Sequence, residues 1–320
     1  MKKAIITGGN GFVAKYLASD LIDLGYTVIG TTRISCSEPL CSDRFKLVQI
    51  DDKNVDEWAD LINEFNPDEI YHLAGQSSVG LSWSQKVETF NSNVIYTINM
   101  LEGLRLSKWK SLVKVLTVGS SEEYGHVNCE SAISETVQLK PISPYGISKI
   151  NVFHLMKQFT RTYGMNIIHV RPFNHIGPGQ GVGFVTSDFA RQIVEIERKL
   201  KEPTLMVGNL EAQRDFTDVR DIVKAYKEIL QFGSSGEVYN VCSGKPISIS
   251  TILQTLLKLS KYDGVINITQ DHNKMRPSDY MVYYGDNTKL FSDTNWRPEI
   301  EMEKSLNDIL DYWRSSIPLV

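Results

Sequence analysis

Cysteine is scarce in this sequence, and the few present follow no metal-binding or disulfide spacing. Cys36, Cys41, Cys129 and Cys242 are spread along the chain, and none forms a Cys-x-x-Cys pair. Neither a zinc site nor a disulfide framework is therefore indicated, which favours a reduced, cytosolic setting. The histidines also lack metal-ligand spacing, so we predict no bound metal.

A basic excess and long apolar runs are also absent. The 34 Lys and Arg residues face 38 Asp and Glu residues, a formal charge of −4, which does not suit a nucleic-acid partner. Runs such as Ala4–Ile6 and Ile317–Val320 are far too short to span a bilayer. The N-terminus lacks the apolar stretch of a signal peptide. We therefore predict a cytosolic globular protein that binds neither nucleic acid nor membrane.

What is present is a regular alternation of short β-rich runs and helical patterns. Strands are predicted at Lys3–Thr7, Tyr26–Thr31, Phe45–Ile50, Glu69–Ala74, Leu112–Val118 and Asn166–Arg171. Helices are predicted between them, including Val55–Phe65, Val87–Leu106 and a helix from about Ser148 to Tyr163. This order predicts an α/β protein with a Rossmann-type doubly wound parallel sheet.

The alternation ends after Arg171. Proline and glycine crowd into residues 172–183, which marks an irregular connection out of the sheet. A less regular region with several helical patterns follows. We therefore predict a sheet domain over residues 1–171, with returning segments from about 215–243, and a smaller α/β lobe formed mainly by 172–320.

A glycine-rich turn joins the first predicted strand to the first predicted helix. It reads Thr7-Gly8-Gly9-Asn10-Gly11-Phe12-Val13-Ala14, and Gly8 and Gly11 let the backbone approach a pyrophosphate without a side-chain clash. The helix N-terminus that follows offers unpaired N–H groups and a partial positive charge. The context predicts a dinucleotide site that includes Thr7, Gly8, Asn10, Gly11, Phe12 and Val13. A glycine-rich turn without a ligand is the alternative.

The next two strand ends bear on the choice of cofactor. The second strand ends with Thr32 and Arg33 and no acidic residue. A carboxylate there would bind the ribose of NAD, whereas Arg33 would pair with a 2′-phosphate, so NADP is favoured over NAD. Asp51 and Asp52 end the third strand, where one carboxylate would accept from the adenine amino group. A solvated arginine and an exposed turn pair are the alternatives for these residues.

Three further residues form a candidate catalytic set. Tyr145 and Lys149 stand four residues apart at a helix start, so their side chains share one face. A neighbouring ammonium is expected to lower the pKa of the tyrosine, which suits proton exchange with a sugar hydroxyl or carbonyl. Ser120 follows the fifth strand, at the edge where open α/β sheets bind ligands. We therefore expect a hydroxyl, a phenol and an amine to converge beside a dinucleotide.

With these motifs the sequence resembles the extended short-chain dehydrogenases/reductases that modify nucleotide sugars. The likeness covers nearly the whole chain and runs through Thr7–Ala14, Leu73-Ala74-Gly75-Gln76-Ser77, Ser120, Tyr145 with Lys149, and Arg171-Pro172-Phe173-Asn174. The resemblance implies that Ser120, Tyr145 and Lys149 are catalytic. It adds Leu73, Ala74, Gly75, Pro172 and Phe173, together with Tyr145 and Lys149, to the cofactor site. It also implies an NAD(P)-binding sheet domain, a sugar-nucleotide-binding lobe and a homodimer with a four-helix interface. Burial of the two helices within one subunit is the alternative to the dimer.

Other stretches resemble, more narrowly, the reductases that turn GDP-4-keto-6-deoxymannose into GDP-D-rhamnose. These stretches are residues 119–125, 171–180, 183–185, 208–218 and 276–279. The resemblance implies NAD(P)H-dependent reduction of the C4 ketone of a nucleotide-linked 4-keto-6-deoxyhexose, most closely a GDP-linked one. It implies a substrate site that includes Asn174, Arg214 and Arg276. Arg191 and Asn209 are further candidates for this site, and a solvated surface position is the alternative for these two residues. Arginine forks from separate segments suit a diphosphate.

Glu122 keeps other reactions open. In the related 4,6-dehydratases an acidic residue two positions before the same tyrosine, here Tyr124, helps move protons at C5 and C6, so Glu122 is a candidate catalytic residue. Capping or pairing near the sheet edge is its alternative role. A 4,6-dehydratase of the GDP-mannose type, a 4-epimerase with tightly bound cofactor, and a non-catalytic sugar-nucleotide-binding regulator are the alternative functions. The intact Ser120, Tyr145 and Lys149 set argues against the regulator, since binding alone needs no tuned phenol.

Overall fold

The computed structural model describes residues 1–33, 43–51, 53–127, 131–271 and 281–318. Its strands are β1 (Lys3–Thr7), β2 (Thr27–Thr32), β3 (Phe45–Gln49), β4 (Glu69–His72), β5 (Lys114–Val118), β6 (Asn166–Pro172), β7 (Asn174–Ile176), β8 (Thr204–Val207), β9 (Gln213–Asp218), β10 (Val238–Val241), β11 (Pro246–Ser248), β12 (Asn267–Gln270) and β13 (Val282–Tyr283). Its helices are α1 (Phe12–Asp23), α2 (Val55–Phe65), α3 (Val79–Ser84), α4 (Lys86–Phe90), α5 (Tyr96–Leu106), α6 (Pro144–Tyr163), α7 (Val185–Glu197), α8 (Val219–Phe232), α9 (Ile249–Leu259), α10 (Thr288–Thr294) and α11 (Met302–Ser316). A π-helical segment (Asn91–Ile95) joins α4 to α5, and a 3₁₀ turn (Ser121–Glu123) follows β5.

The main sheet in the described part of the chain has seven strands in the order β10-β6-β5-β4-β1-β2-β3. Every neighbouring pair in it is parallel. β1 lies inside the sheet, where Ile5 is in register with Ile29 of β2 and Ile70 of β4. Because both faces of β1 are covered, its apolar residues are continuous rather than alternating. The predicted doubly wound parallel sheet is confirmed.

Helices cover both faces of this sheet and form two hydrophobic cores. On one face α1 and α8 pack on the strands through residues such as Leu17 and Ile222. On the other face α2, α5 and α6 do so through residues such as Trp58, Met100 and Met156. Burying each such side chain contributes roughly 1.5–3 kcal/mol, so the two cores hold the strand ends in place.

The chain after β6 builds a second layer and then rejoins the sheet. β9 pairs with β7, β11 and β13, and β8 pairs with β12. Helices α7, α9 and α11 pack together through Phe189, Leu253 and Leu306. α8 packs on α1, and β10 extends the main sheet beside β6. The division into a domain over 1–171 and a lobe over 172–320 stays a prediction.

The single helix expected over Val87–Leu106 is interrupted. A π-helical segment at 91–95 directs Asn93 toward the chain that follows β4. The Asn93 Oδ1 accepts the Gln76 N–H at 2.7 Å, and its Nδ2 donates to the Gln76 carbonyl at 3.1 Å and to Ser148 Oγ at 2.8 Å. This interruption ties three segments together at the carboxyl edge of the sheet.

Candidate functional site

The turn after β1 forms a cradle of backbone atoms. Gly8 has φ +67°, a left-handed conformation that glycine adopts readily, and the Gly11 N–H donates to its carbonyl at 2.8 Å. A Cβ on Gly9 would lie 2.4 Å from the Gly30 Cα, so this approach of the turn to β2 requires glycine. α1 begins at Phe12 with no side-chain cap. Its first N–H groups are therefore directed at a site that fits an anion such as a pyrophosphate.

A cleft of about 220 Å³ opens at this turn. Its lining is Gly8, Asn10, Gly11, Thr31, Thr32, Arg33, Leu73, Ala74, Gly75, Ser92 and Tyr96. Most of these residues are ones that we expected at the cofactor. Sequence reasoning missed Ser92, which lies in the π-helical interruption that no sequence pattern indicated, and Tyr96, the first residue of α5. It also missed Thr31, which its position beside Thr32 could have suggested.

Thr7 is buried and joins β1 to β4 instead of lining the cleft. Its Oγ1 accepts the Ala74 N–H at 2.9 Å and lies 3.0 Å from His72 Nδ1. The His72 Nε2 lies 2.8 Å from the Thr97 hydroxyl, which itself donates to the Asn93 carbonyl. The ring therefore donates from Nε2 and accepts at Nδ1. Burial and the Lys149 charge lower the pKa of His72 to about 3, so this ring is neutral.

The residues predicted to bind the adenosine half of the cofactor do not all lie at the cleft. Arg33 lines the cleft, with its Nη1 3.4 Å from both the Glu88 Oε1 and the Ser92 Oγ. Asp51 is exposed, and its carboxylate accepts the Lys53 N–H at 3.0 Å within a turn. It is not among the residues that line the cleft. Asp52 lies outside the described residues.

The other predicted cofactor residues contribute packing rather than cleft surface. Val13 packs against the core beneath α1, Phe173 is 2% exposed within an aromatic cluster, and Pro172 ends β6. Phe12 stacks on His175, with ring centroids 6.2 Å apart. The ring of Phe12 therefore connects the glycine turn to the segment that follows β6.

Helix α6 begins at Pro144, four residues before the expected start at Ser148. Ser143 is its N-cap and accepts the Gly146 N–H at 3.0 Å, and proline suits the first helical position. Tyr145 consequently lies in the first turn and Lys149 in the next. Both side chains are held at the carboxyl end of β5.

Ser120, Tyr145 and Lys149 converge there and are 9%, 7% and 7% exposed. The Ser120 hydroxyl lies close enough to the Tyr145 phenol to lower the pKa of that phenol. The Lys149 Nζ lies 5.8 Å from the centroid of the Tyr145 ring and donates to the Val118 carbonyl at 2.9 Å. The end of β5 therefore supplies the serine and also fixes the lysine.

Burial dominates the protonation of this set. Burial raises the pKa of Tyr145, and the Ser120 hydroxyl only partly offsets this rise, while the charges of Glu122 and Glu123 raise that pKa further. The lowering expected from Lys149 is not found, and the phenol keeps its proton at neutral pH. Burial also lowers the pKa of Lys149 to about 8, against the opposing charge of Glu123. The arrangement is a protonated acid beside an ammonium.

The two glutamates of the 3₁₀ turn differ in environment. Glu122 is half-buried, its N–H donates to Ser120 Oγ at 3.2 Å, and its Oε2 lies 3.5 Å from Ser143 Oγ. Glu123 is fully buried and accepts the Ser120 N–H at 3.0 Å. Sequence reasoning missed Glu123, although a serine three residues before a glutamate is the spacing of a capping box.

The predicted sugar-nucleotide residues lie on several elements. Asn174 is exposed on β7, which pairs with β9, the strand that carries the half-buried Arg214. Asn209 caps a turn, where its Oδ1 accepts the Glu211 N–H at 3.0 Å. The exposed Arg191 on α7 is paired with Glu195 at 2.7 Å. Arg276 lies outside the described residues.

Two kinds of feature are missing from the part of the chain that the structure describes. No group of three or more His, Cys, Asp or Glu side chains there is arranged to hold a metal ion. No helix in those same ranges has the length and apolar character needed to cross a membrane.

Comparisons with known proteins agree on one family. The model of the family described as GDP-mannose 4,6 dehydratase matches residues 5–309. GDP-6-deoxy-D-mannose reductase of Pseudomonas aeruginosa is 33% identical, over 99% of this chain and 98% of its own length. Human GDP-mannose 4,6 dehydratase is 28% identical, over 96% and 90%. The structure of RMD from Pseudomonas aeruginosa complexed with NADPH superposes with a TM-score of 0.85 at 31% identity, covering 99% of this chain and 100% of that one.

Proposed function

The chain belongs to the GDP-mannose 4,6-dehydratase family, and we propose that within it this protein is an NAD(P)H-dependent reductase of a nucleotide-linked 4-keto-6-deoxyhexose. The proposed substrate is GDP-4-keto-6-deoxy-D-mannose and the proposed product is GDP-D-rhamnose. The observation that carries the proposal is the buried set of Ser120, Tyr145 and Lys149 next to the glycine cradle. The likeness to a GDP-6-deoxy-D-mannose reductase over nearly both full lengths supports this substrate.

Each residue of the set receives a role from its chemistry. The cleft at the glycine cradle would hold a reduced nicotinamide dinucleotide, which would supply a hydride for C4 of the sugar. Tyr145 donates its proton to the oxygen that develops charge at C4, because burial keeps the phenol protonated. Ser120 holds the same oxygen, and the ammonium of Lys149 stabilises the phenolate left after the transfer. Asn174 and Arg214, in the lobe over 172–320, bind the nucleotide diphosphate.

The proposal predicts stoichiometric consumption of cofactor. Purified protein given GDP-4-keto-6-deoxymannose and NADPH is expected to lower the absorbance at about 340 nm and to release GDP-rhamnose, identified by NMR. A dehydratase or an epimerase returns the hydride to its sugar and gives no net change in absorbance. A preparation that neither oxidises the cofactor nor forms rhamnose would contradict the proposal.

The second candidate function is a 4,6-dehydratase, which the carboxylate of Glu122 and the dehydratase relatives favour. GDP-mannose tests it directly, because a dehydratase converts GDP-mannose to the 4-keto sugar with no added cofactor. Glu122→Gln would abolish such elimination but is expected to lower the reductase rate by less than about tenfold. If GDP-mannose is consumed by the wild-type protein but not by Glu122→Gln, the second candidate replaces the first.

NADP is the cofactor that we propose, with NAD as the alternative. Two observations support NADP. Arg33 lines the cleft directly after β2, a strand that contains no acidic residue, and the similar structure of RMD is complexed with NADPH. Arg33→Met is expected to raise the KM for NADPH roughly 10- to 100-fold, since one charged contact to a phosphate is lost. The KM for NADH in the same variant is the internal control and should stay within about twofold. Equal effects on both cofactors would contradict the assignment of Arg33 to the 2′-phosphate.

We also propose that the protein is a cytoplasmic homodimer. Apolar side chains on the predicted interface helices support the dimer: Val87 is 76% exposed, Ile95 44% and Ile147 40%. Exposed apolar side chains that cluster on neighbouring helices mark an interaction surface. Sedimentation equilibrium is expected to give twice the mass of one chain, and a monomer at micromolar concentration would contradict it.

A further inference from the structure

A buried charged pair lies next to the Ser120 turn and has no role in the chemistry assigned above. Glu123 is 0% exposed and Arg171 is 2% exposed. The Glu123 Oε2 accepts from Arg171 Nε at 2.7 Å, and its Oε1 lies 3.0 Å from both the Ser120 backbone nitrogen and His169 Nε2. Both carboxylate oxygens are therefore committed to named partners.

The backbone around this carboxylate is shaped to admit it. A Cβ on Gly119 would lie 2.0 Å from the Glu123 Oε1 and 2.3 Å from His169 Nε2, so Gly119 must be glycine for the carboxylate to reach the Ser120 N–H. The turn closes as a capping box, in which the Ser120 side chain also accepts a backbone N–H of the same turn. Glu123 thus fixes the backbone of the residue that presents the catalytic hydroxyl.

The pair is ionised at neutral pH. Burial alone would raise the pKa of Glu123, but His169 and Arg171 together hold it below its ordinary value. Burial lowers the pKa of His169, so that ring is neutral and donates from Nε2 to the carboxylate. The guanidinium of Arg171 lies between two aromatic rings, 4.9 Å from Tyr124 and 4.8 Å from Phe153. These contacts keep the charge of Arg171 opposite the carboxylate.

Glu123 also lies near Lys149, because the Lys149 Nζ donates to the Val118 carbonyl at 2.9 Å and Glu123 packs against Gly119, the next residue. Among the described residues, the titratable groups that interact with Lys149 are Tyr145 on its own helix, His72 on β4, His169 on β6 and Glu123 in the 3₁₀ turn. Burial leaves both histidines neutral and the phenol protonated. Glu123 is therefore the anion of this group, and its field opposes the desolvation of the Lys149 ammonium.

We propose that Glu123 is a positioning residue of the reaction: its buried carboxylate fixes the Ser120 backbone and sets a negative charge near the Lys149 ammonium. The inference rests on the proposed function for the roles of Ser120, Tyr145 and Lys149. It adds a residue that touches neither the sugar nor the cofactor, and it predicts effects on the pH dependence that a merely structural carboxylate would not produce.

Glu123→Gln in the full chain keeps the side-chain shape and an acceptor for the Ser120 N–H. It is expected to lower kcat about 10- to 100-fold and to change KM by less than about threefold. Because the amine loses its proton more easily without the anion, the alkaline limb of the kcat profile should move about 1 pH unit lower. A kcat within about twofold of wild type with an unmoved limb would overturn the proposal.

Loss of folding is separated from loss of positioning by two further variants. Glu123→Gln with Arg171→Met removes both charges of the pair, so it should recover the melting temperature but retain the low kcat and the shifted limb. Glu69→Gln is the matched control. Glu69 is 5% exposed, is hydrogen-bonded to Tyr71, and begins β4 at the strand end away from the site. The pH profile of this control variant should not move. Recovery of both kcat and limb in the double variant would show a structural role only and overturn the proposal.

A measurement without turnover distinguishes this inference from the proposed function. The unfolding free energy of the wild type is expected to rise with pH where Lys149 deprotonates in the folded chain, from about 8 upward. In Glu123→Gln that rise should begin about 1 pH unit lower. If the wild type turns over no keto sugar, the proposed function fails, whereas this shift still decides the role of Glu123: present, it supports the proposal; absent, it overturns it.

Discussion

Replacing Tyr145 with phenylalanine is expected to lower kcat by roughly 10²- to 10⁴-fold, the range that a positioned general acid supplies. The ring stays in place, so the variant loses only the phenolic hydroxyl that donates the proton. KM should change little, because the phenol is assigned to the reacting oxygen and not to the nucleotide. Steady-state kinetics with NADPH and the keto sugar measure both quantities.

Tyr71→Phe is the matched control for this variant. Tyr71 is 1% exposed and its hydroxyl donates to Glu69 at 2.8 Å on β4, so it is an equally buried phenol that the reaction does not use. It should lose some stability while retaining activity. A Tyr145→Phe variant that keeps more than about a third of the wild-type kcat would contradict the role of Tyr145 as the acid.

Lys149→Met is expected to abolish most activity and yet make the protein more stable. Removing the ammonium beside the reacting phenol should cost on the order of 10²-fold in kcat. Burial lowers the pKa of Lys149 from 10.5 to about 8, which corresponds to about 3 kcal/mol spent on keeping it charged in the folded chain. The variant leaves the Val118 carbonyl without its donor. We therefore expect a net gain of about 1–2 kcal/mol at pH 7.

The pH dependence of this gain has a definite sign. Below pH 8 the amine is protonated in both the folded and the unfolded chain, so the destabilisation of the wild type is complete there. Between about 8 and 10.5 the folded chain binds fewer protons than the unfolded chain, so the wild type gains stability as the pH rises. The advantage of Lys149→Met should therefore shrink across this window. Denaturant unfolding at several pH values measures it.

Lys114→Met is the control for the lysine variant. The Lys114 Nζ also donates to a backbone carbonyl, that of Leu230 at 2.8 Å, but the side chain is only half-buried. Its replacement should neither stabilise the protein at pH 7 nor affect turnover. A Lys149→Met variant that is less stable than wild type at pH 7 would contradict the cost assigned to its buried charge.

The parts of the site that could be predicted are those in which a local pattern dictates the geometry. The glycines of the first turn and the Tyr145 and Lys149 spacing are such patterns, because a turn or one helical face brings their atoms together whatever the rest of the chain does. The strand pattern similarly led to the parallel sheet, and the sheet places Ser120 at the same edge as Tyr145. No long-range contact had to be guessed for these features.

The features that escaped prediction depend on contacts between distant segments. Ser92, in the π-helical interruption, and Tyr96, the first residue of α5, line the cleft together with the turn after β1. Thr7 sits in the predicted turn, yet its hydroxyl bonds to His72 and Ala74, 65 and 67 residues away. Sequence spacing does not encode which of several neighbours a polar group will bind.

The sequence by itself determined the order of strands and helices, the glycine cradle and the shared face of Tyr145 and Lys149, since each depends on backbone sterics and periodicity over a few residues. The tertiary structure alone decided the protonation of the site. Residue types suggested that Lys149 would lower the pKa of Tyr145, but burial raises it. The charge of Glu123 opposes the effect of burial on the pKa of Lys149. Glu123 lies in the 3₁₀ turn and is paired with Arg171 of β6. Desolvation and charge pairing depend on what surrounds a group in space, and only the folded chain defines those surroundings.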